Sequence, residues 1–400
     1  MSGPLDGIRI LDLTTVVLGP FATQLLADLG ADVLKVEPPE GDNIRQISPM
    51  RHPGMGAMFL HMNRNKRSIV LDLKRPAGRE ALLRLATKVD VLCYNTRPQA
   101  MQRLRLGYAD VKAVNPAIVY VGATGFDPDG PYAGRPAYDD LIQGAVGLPW
   151  LMMKNGAHTP RYVPATLCDR IVGQATANAI LAALVQRGRS GEGQSVVVPM
   201  FETMAQFILG DHFGGRTFEP ALGEAGYARV LARYRAPYET KDGHICVLVY
   251  NDKQWTSFFA KIGKSELYAN DPRFGTLAAR SRNIDDVYAF VAEELRTRTT
   301  EEWERLFTEA DIPWMPMNSI DDLIDDPHLA LAGFFEQVDH PSEGAIRTPG
   351  VPTRWSSAQP QLRYPAPRLG QHSAELLREA GYTAAEIEQM ARDGITQLDR

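Results

Sequence analysis

The sequence predicts an α/β protein with a doubly wound large domain and a smaller α+β domain. Over the first 200 residues, short apolar strand patterns alternate with amphipathic helix patterns, as in a sheet of parallel strands. Near residue 225 this alternation ends, and a hairpin followed by helix patterns begins. A chain of 400 residues is also longer than one core usually organises, so we expect two or three domains.

The first forty residues predict one βαβ unit. Ile8–Leu13 alternates apolar and polar residues like a half-buried strand. Gly19 and Pro20 follow, and proline suits the first turn of a helix because its missing N–H is no loss there. Ala31–Val36 is a second apolar strand, so the two strands should pair in parallel through a right-handed crossover.

The later elements continue both patterns. The large domain has predicted strands at Ser68–Leu73, Val89–Cys93, Ala117–Gly122 and Ser195–Val198, and helices at Pro76–Lys88 and Arg170–Gln186. In the second domain Asp242-Gly243 predicts a hairpin between Arg235–Tyr238 and Ile245–Tyr250, followed by helices at 252–262, 283–297 and 300–310. The proline-rich stretch 348–368 predicts an extended connector, with two helices over 371–393.

Composition excludes several classes of protein. A net charge of −5 and a pI near 6.0 argue against a nucleic-acid partner. Three cysteines make no disulfide framework and favour a reducing compartment. The start lacks signal-peptide features, and the most apolar stretch, 177–185, is too short to cross a membrane, so we expect a cytoplasmic protein. Eight scattered histidines show no metal-ligand spacing, and we expect no metal.

Two features suggest a nucleotide or another anion. The turn Thr15–Pro20 lacks G-x-G-x-x-G, although Glu37 stands where an acidic ribose ligand would lie, so NAD is the weaker interpretation and is not expected. The basic cluster comprises Asn63–Arg67 with Lys74 and Arg75, and Arg97 and Arg103 follow the next strand. It is either a solvated charged face or an anion site at the strand ends.

Asp169 directly precedes the long predicted helix. Its carboxylate has an ordinary explanation as the N-cap of that helix. The same position would favour the ionised form through the helix dipole, and in a dry site such a carboxylate acts as a nucleophile. The neighbouring Cys168 is most simply a small buried apolar residue.

Many short stretches, in order along nearly the whole chain, resemble one family. They are Leu5–Leu13, Gly19-Pro20, Leu29–Glu37, Gly41-Asp42 with Arg45, Asn63–Ser68, Leu71–Lys74, Asn95–Pro98, Gly125-Phe126, Gly130-Pro131, Ala137–Asp139, Asp169 and Gly191–Gln194. The sequence is similar to the family III coenzyme A transferases, of the CaiB/BaiF (formyl-CoA and carnitine-CoA transferase) type.

The resemblance implies that Asp169 is the catalytic nucleophile. Its carboxylate would form an aspartyl–acyl anhydride and then an aspartyl-CoA thioester during transfer of coenzyme A from an acyl-CoA to a carboxylic acid. The contacts with coenzyme A, itself a substrate, map to Val17, Leu18, Leu71, Asp72, Leu73, Lys74, Asn95, Thr96, Arg97, Arg103, Leu104, Tyr138 and Asp139. Leu71, Leu73 and Leu104 would pack on the adenine.

The resemblance also implies an interlocked, ring-like homodimer. A Rossmann-like, CoA-binding large domain would combine residues 1–200 with the C-terminal helices in 330–400. The small α+β domain would cover 225–325, with linkers at 200–225 and 325–368 threading the partner. The expected partners are therefore a second copy, an acyl-CoA and a small carboxylic acid.

The sequence departs from the formyl-CoA members of the family. Val17 stands where some members have Gln, and Pro38 where they have Arg. Val249–Asp252 replaces a glycine-rich flap, so Tyr250 and Asn251 are the expected flap residues. Formyl or oxalyl chemistry is disfavoured. The resemblance implies dicarboxylates as the acids, because they are common substrates in the family, with Arg45, Arg97 or Arg135 pairing the second carboxylate.

Two alternatives remain open. Some family members are 2-methylacyl-CoA racemases, which exchange an α-proton with a His–Asp pair. The histidine should lie near Ala137 and Tyr138, but no histidine occurs between His61 and His158. A non-catalytic acyl-CoA-binding protein would be favoured if Asp169 proved dispensable.

Overall fold

A computed structural model describes residues 3–399 of the chain. The strands are β1 (Arg9–Leu13), β2 (Asp32–Glu37), β3 (Lys66–Val70), β4 (Val91–Tyr94), β5 (Val119–Thr124), β6 (Ser195–Pro199), β7 (Tyr238–Glu239), β8 (His244–Val247), β9 (Trp314–Pro316), β10 (Phe335–His340) and β11 (Gly344–Pro349).

The α-helices alternate with these strands in the first half of the chain. They are α1 (Leu18–Asp28), α2 (Ala57–Met62), α3 (Pro76–Ala86), α4 (Pro98–Arg103), α5 (Tyr108–Val114), α6 (Asp139–Ala145), α7 (Leu148–Lys154), α8 (Leu167–Ser190), α9 (Met200–His212), α10 (Ala228–Leu231), α11 (Asp252–Lys261), α12 (Ser265–Asn270), α13 (Leu277–Arg282), α14 (Ile284–Leu295), α15 (Thr300–Glu309), α16 (Ile320–Ile324), α17 (Pro327–Leu331), α18 (Ser373–Glu379) and α19 (Ala384–Arg392). Short 3₁₀ turns occur at Asn43–Gln46 and Gly214–Thr217.

The large sheet has six parallel strands in the order β3-β2-β1-β4-β5-β6. Ile10 at its centre pairs with Val33 on one side and Val91 on the other. This is the strand order of a doubly wound α/β sheet. The α/β prediction is thus confirmed, although β3 lies at Lys66–Val70 rather than Ser68–Leu73 because residues 71–75 leave the sheet toward α3.

Helices cover the sheet. One cluster of buried residues joins Leu11 and Leu34 of the sheet with Leu82 of α3 and Leu376 of α18. Helices α1 and α8 pack against each other, and α8 also packs on β5 and β6. Gly173 permits the close approach of α8 to α1, because a Cβ at this position would lie 2.8 Å from the carbonyl oxygen of Leu18.

The chain divides into two compact units. The first unit contains 3–146, 163–206 and 327–399. The second unit contains 147–162 and 207–326. The sequence predicts 147–162 as part of the large domain, whereas the structure places this segment in the second unit. In the second unit Tyr238 pairs with Ile245 in the predicted hairpin, and β9 adds a third antiparallel strand. Its core is aromatic, with Trp255, Phe258 and Trp303 fully buried.

The predicted connector, 348–368, overlaps the end of a strand. Its first residues, Thr348 and Pro349, end β11, and the described stretch from there to α18 contains no helix or strand. Arg363 ties this segment to the first unit by donating hydrogen bonds to the carbonyl oxygens of Ala27 and Ala31, at 3.0 and 2.8 Å. Within residues 3–399 no helix is long and apolar enough to span a membrane.

Candidate functional site

A cleft of about 610 Å³ opens in the first unit at the carboxyl ends of β1 and β4. The strand order reverses direction between these two neighbours, and crevices of doubly wound sheets form at this point. The lining residues are Thr15, Val16, Val17, Leu18, Asn43, Asn95, Thr96, Arg97, Pro98, Gln99, Ala100, Arg103, Ala123, Thr124, Gly125, Phe126, Pro128, Gly134, Arg135, Pro136, Ala137, Tyr138, Asp169 and Met200.

Asp169 does not cap its helix, so the N-cap interpretation is wrong. Helix α8 begins at Leu167, three residues earlier than that interpretation requires, and Thr166 occupies the N-cap position. Asp169 is therefore the third helical residue. Its side chain belongs to the lining of the cleft instead of closing the end of the helix.

A pair of side chains on α6 holds the start of α8. Asp139 accepts a hydrogen bond from the backbone N–H of Asp169 at 3.0 Å, and the amide of Gln143 donates to the other oxygen of Asp139 at 2.6 Å. Gln143 also accepts from the N–H of Val163, in the segment that leads into α8. Because Gln143 is fully buried and Asp139 nearly so, this arrangement fixes the first turn that carries Asp169.

The carboxyl group of Asp169 resists ionisation. Burial raises its pKa to about 7, the nearby charge of Asp139 acts in the same direction, and Arg170 opposes them only in part. The expectation of an ionised carboxylate stabilised by the helix dipole is therefore wrong as a net effect. A carboxyl group in a cleft whose pKa is raised by burial and by a neighbouring charge is typical of a functional site.

Three arginines line the cleft and face solvent: Arg97, Arg103 and Arg135. Among residues 3–399 no carboxylate forms an ion pair with any of them. The guanidinium of Arg135 lies over the ring of Tyr132 at 4.4 Å. Guanidinium groups without a carboxylate partner in the protein suit phosphate and carboxylate groups of a ligand.

Three cations of the predicted basic cluster, Arg64, Lys66 and Arg67, serve the fold, so the anion-site interpretation of Asn63–Arg67 is wrong. Arg64 pairs with buried Asp28 at 2.8 Å, and Lys66 with buried Asp12 at 3.0 Å. Arg67 pairs with Asp32 at the end of the sheet. Each cation is taken up by a carboxylate of the same unit and is not offered to the cleft.

Arg45 is likewise not available to a substrate. It lies 1% exposed, with Nε and Nη2 each 2.7 Å from an oxygen of Glu37. Its guanidinium stacks on Phe59 at 3.6 Å. The expectation that Arg45 pairs a second carboxylate is therefore wrong.

The structure brings together some of the expected CoA contacts. Val17, Leu18, Asn95, Thr96, Arg97, Arg103 and Tyr138 line the cleft with Asp169, whereas Leu71, Asp72, Leu73, Lys74, Leu104 and Asp139 are not part of its lining. Leu71 is buried in the core, with Leu73 and Leu104 packed against it, and Asp72 accepts from the N–H of Lys74. The expected flap residues lie in the second unit, where Asn251 caps α11 and Tyr250 is exposed.

Sequence reasoning missed the residues that support the site. Gln143 carries a signal, since it follows Asp139 by four residues and thus shares its helix face. Asn43 and Gln99 line the cleft, but nothing in their sequence context distinguishes them from ordinary loop residues.

Cys168 is fully buried, and burial raises its pKa to about 12, so it stays a thiol. Within the described chain no cluster of metal-ligating side chains occurs.

An arginine-lined cleft at the switch point of a doubly wound sheet, with a carboxyl group whose pKa burial raises, is typical of an enzyme site for an anionic substrate. The sequence profile of CoA-transferase family III matches residues 5–373. The chain therefore belongs to CoA-transferase family III and is a CoA-transferase.

Individual relatives agree with this assignment. The chain is 31% identical to the succinyl-CoA:glutarate CoA-transferase of Mus musculus, over 98% of this chain and 90% of the relative. It is 30% identical to the formyl-CoA:oxalate CoA-transferase of Escherichia coli (strain CFT073), over 98% and 99%. The crystal structure of a CAIB/BAIF family protein from Brucella suis is similar, with a TM-score of 0.79, 30% identity and coverage of 95% and 100%.

Proposed function

We propose that this enzyme transfers coenzyme A between dicarboxylic acids through covalent intermediates on Asp169. A carboxylate oxygen of Asp169 attacks the thioester carbonyl carbon of the donor, the C–S bond breaks, and the CoA thiolate leaves. The thiolate then attacks the side-chain carbonyl carbon of Asp169 in the anhydride. This releases the donor acid as a carboxylate and leaves an aspartyl-CoA thioester.

The second half of the reaction reverses these steps with the acceptor. The acceptor carboxylate attacks the aspartyl carbonyl carbon and expels the thiolate, which gives a second anhydride. Attack of the thiolate on the acceptor's acyl carbon forms the new acyl-CoA and restores the carboxylate of Asp169. The main support is the placement of Asp169 in the cleft lining with a pKa raised by burial, since anhydrides need a water-poor site.

The arginines give the proposed substrate class. Coenzyme A carries phosphates, for which Arg103 is the proposed partner, with the main chain and side chains of Val17, Leu18, Asn95, Thr96 and Tyr138 around the rest of the molecule. Arg97 or Arg135 is proposed to pair the distal carboxylate of a dicarboxylic acid. The mouse relative, named for succinyl-CoA and glutarate, supports this choice. Leu71–Lys74, Leu104 and Asp139 do not line the cleft. They remain part of the proposed CoA-binding region, as residues at its edge or beneath its wall.

The proposed assembly is an interlocked homodimer with a Rossmann-like, CoA-binding large domain. Large apolar side chains remain exposed on the single chain, among them Leu222 at 74% and Leu331 at 91%. Both lie in or beside the proposed linkers at 200–225 and 325–368. A second copy would cover such side chains, and Tyr250 and Asn251 remain the proposed flap residues. Light scattering at twice the 44.2 kDa of one chain is the expected result.

The experiment for Asp169 combines adduct detection with turnover. The enzyme is incubated with succinyl-CoA, and digested peptides are searched by mass spectrometry for CoA on Asp169. Asp169→Asn should lose both the adduct and at least about 1,000-fold in kcat. Asp6→Asn, at an exposed aspartate outside the cleft lining, is the matched control and should keep both. Normal turnover of Asp169→Asn would rule out the nucleophile assignment.

The dicarboxylate proposal has its own test. Arg97→Gln and Arg135→Gln are assayed with succinyl-CoA and with butyryl-CoA, which has the same chain length without the second carboxylate. One of the two variants should lose about tenfold in kcat/KM for succinyl-CoA alone. Equal losses for both substrates would contradict recognition of the distal carboxylate.

A further inference from the structure

The turn between β1 and α1 has an unusual backbone. Val16 has φ +70°, in the left-handed region. A β-branched residue is rarely found there, because its side chain crowds the backbone. Nothing local favours this conformation in Val16, so contacts from elsewhere in the first unit must maintain it.

A buried ion pair provides those contacts. The N–H of Val16 donates to both carboxylate oxygens of Asp42, at 3.1 and 3.3 Å. Lys35 donates to Asp42 at 2.9 Å and to the carbonyl oxygen of Thr14 at 3.0 Å. Both side chains of the pair are 0% exposed. The pair therefore holds the turn on both sides of Thr15.

The pair itself is fixed by its surroundings. The backbone N–H of Asp42 donates to Glu37 at 3.1 Å, and Glu37 in turn is held by Arg45. Lys35 lies on β2, beside β1 in the sheet. A rigid strand and a carboxylate locked by a second ion pair thus set the position of the turn.

The same pair positions two parts of the cleft wall. Thr15–Leu18 lines the cleft, and so does Asn43, which follows Asp42 in the chain. Asp42 is the N-cap of the 3₁₀ turn that begins at Asn43. On the far side of the turn, Leu18 contacts α8 at Gly173, four residues beyond Asp169. A shift at Val16 would therefore move the wall that borders Asp169.

We propose that Asp42 and Lys35 are positioning residues for CoA transfer, which hold the left-handed Val16 so that residues 15–18 and Asn43 form the cleft wall beside Asp169. The proposal rests on the proposed function in one respect, namely that transfer takes place in this cleft. Neither side chain touches substrate; both act through the backbone of the turn.

The test compares two buried ion pairs of the first unit. Asp42→Asn removes the charge opposite Lys35 with little change in size, and kcat should fall on the order of 100-fold, because small misplacements at a reacting centre are costly. The control is Asp28→Asn, which breaks the buried pair with Arg64 at the other end of α1 and touches no residue of the cleft. It should lower the melting temperature comparably and leave kcat unchanged at 25 °C.

Rescue separates positioning from a general structural role. Glycine adopts positive φ without strain, so Val16→Gly added to Asp42→Asn should recover at least about fivefold in kcat without restoring the melting temperature. If Asp42→Asn does not fold, Asp42→Glu takes its place, since it keeps the charge and displaces the carboxylate by one methylene. A kcat loss no larger than that of Asp28→Asn, or no rescue by glycine, overturns the proposal.

The outcome is independent of the nucleophile assignment. Asp169→Asn is assayed in the same series with the same acyl-CoA. Retained turnover in that variant would reject Asp169 as nucleophile, while the comparison of Asp42→Asn with Asp28→Asn would still report on the turn.

Discussion

The carboxylate of Asp139 accepts a hydrogen bond from the backbone N–H of Asp169 at 3.0 Å. One aspartate thus anchors the helical turn of another, and its charge also contributes to the raised pKa of that neighbour. Support and electrostatic tuning come from the same side chain. This dual role makes the influence of Asp139 measurable through the acidity of Asp169.

The first prediction concerns the pH dependence of transfer. A nucleophilic Asp169 must be deprotonated, so kcat/KM should fall as pH drops below the pKa of about 7. Asp139→Asn keeps an oxygen for the N–H of Asp169 and removes the charge, so this acidic limb should move to lower pH. The measurement is a pH profile from 5 to 9 for both proteins. An unmoved limb would show that Asp139 does not tune Asp169.

The second prediction concerns stability. Because the folded protein holds the proton of Asp169 more tightly than the unfolded chain does, this group stabilises the fold fully below 3.8, the ordinary pKa of an aspartate in an unfolded chain. That contribution is lost as pH rises through the folded-state pKa of about 7. The free energy of unfolding of wild type relative to Asp169→Asn should therefore decline between pH 4 and pH 8. Urea titrations at several pH values measure it, and a rising difference would contradict the raised pKa.

The third prediction compares two neighbouring arginines. Arg103 lines the cleft, whereas Arg105, two residues later and also exposed, does not. Arg103→Gln should raise KM for acyl-CoA about tenfold through loss of a charge-assisted hydrogen bond to phosphate, with a smaller change in kcat. Arg105→Gln should behave like wild type. Steady-state kinetics at fixed ionic strength test this, and equal effects would remove Arg103 from the binding site.

The fourth prediction compares two glycines of α8. A Cβ at Gly173 would lie 2.8 Å from the carbonyl oxygen of Leu18, whereas no atom of the described residues outside the helix backbone lies within 4 Å of a Cβ at Gly188. Gly173→Ala should cost about 1–3 kcal/mol of stability and reduce transfer, since α8 must move away from α1. Gly188→Ala should be neutral or stabilise by up to about 1 kcal/mol, because alanine favours the helix. Chemical denaturation and turnover measurements test this prediction. Equal stabilities of the two variants would argue against the close packing of α8 on α1.

The sequence predicts what depends on local pattern. The strands near Ile10 and Val33, the helix after Pro76 and the hairpin at Asp242 follow from periodicity and turn residues, and they appear in the structure. The predicted position of Asp169 at the start of a long helix is close, but the helix begins at Leu167, and end positions depend on tertiary contacts such as that from Asp139.

The basic cluster shows why the rest was not predictable. Arg64 and Lys66 look in sequence like free cations, and their partners Asp28 and Asp12 lie 36 and 54 residues away. Such pairing follows from the order of strands in the sheet, which no local pattern reveals. Only cations that the fold leaves unpaired, such as Arg103, remain for a ligand.

The first unit is built from three separate stretches of the chain, and this has a consequence for biosynthesis. Leu376 and Leu377 complete a core to which α3 and α5 also contribute, so that face of the sheet is only partly covered while the ribosome makes the intervening 300 or so residues. At bacterial or eukaryotic elongation rates this takes roughly 15 to 60 seconds. The nascent chain must keep this apolar surface from aggregating for that time, whereas both segments of the second unit, 147–162 and 207–326, have been made before Leu376.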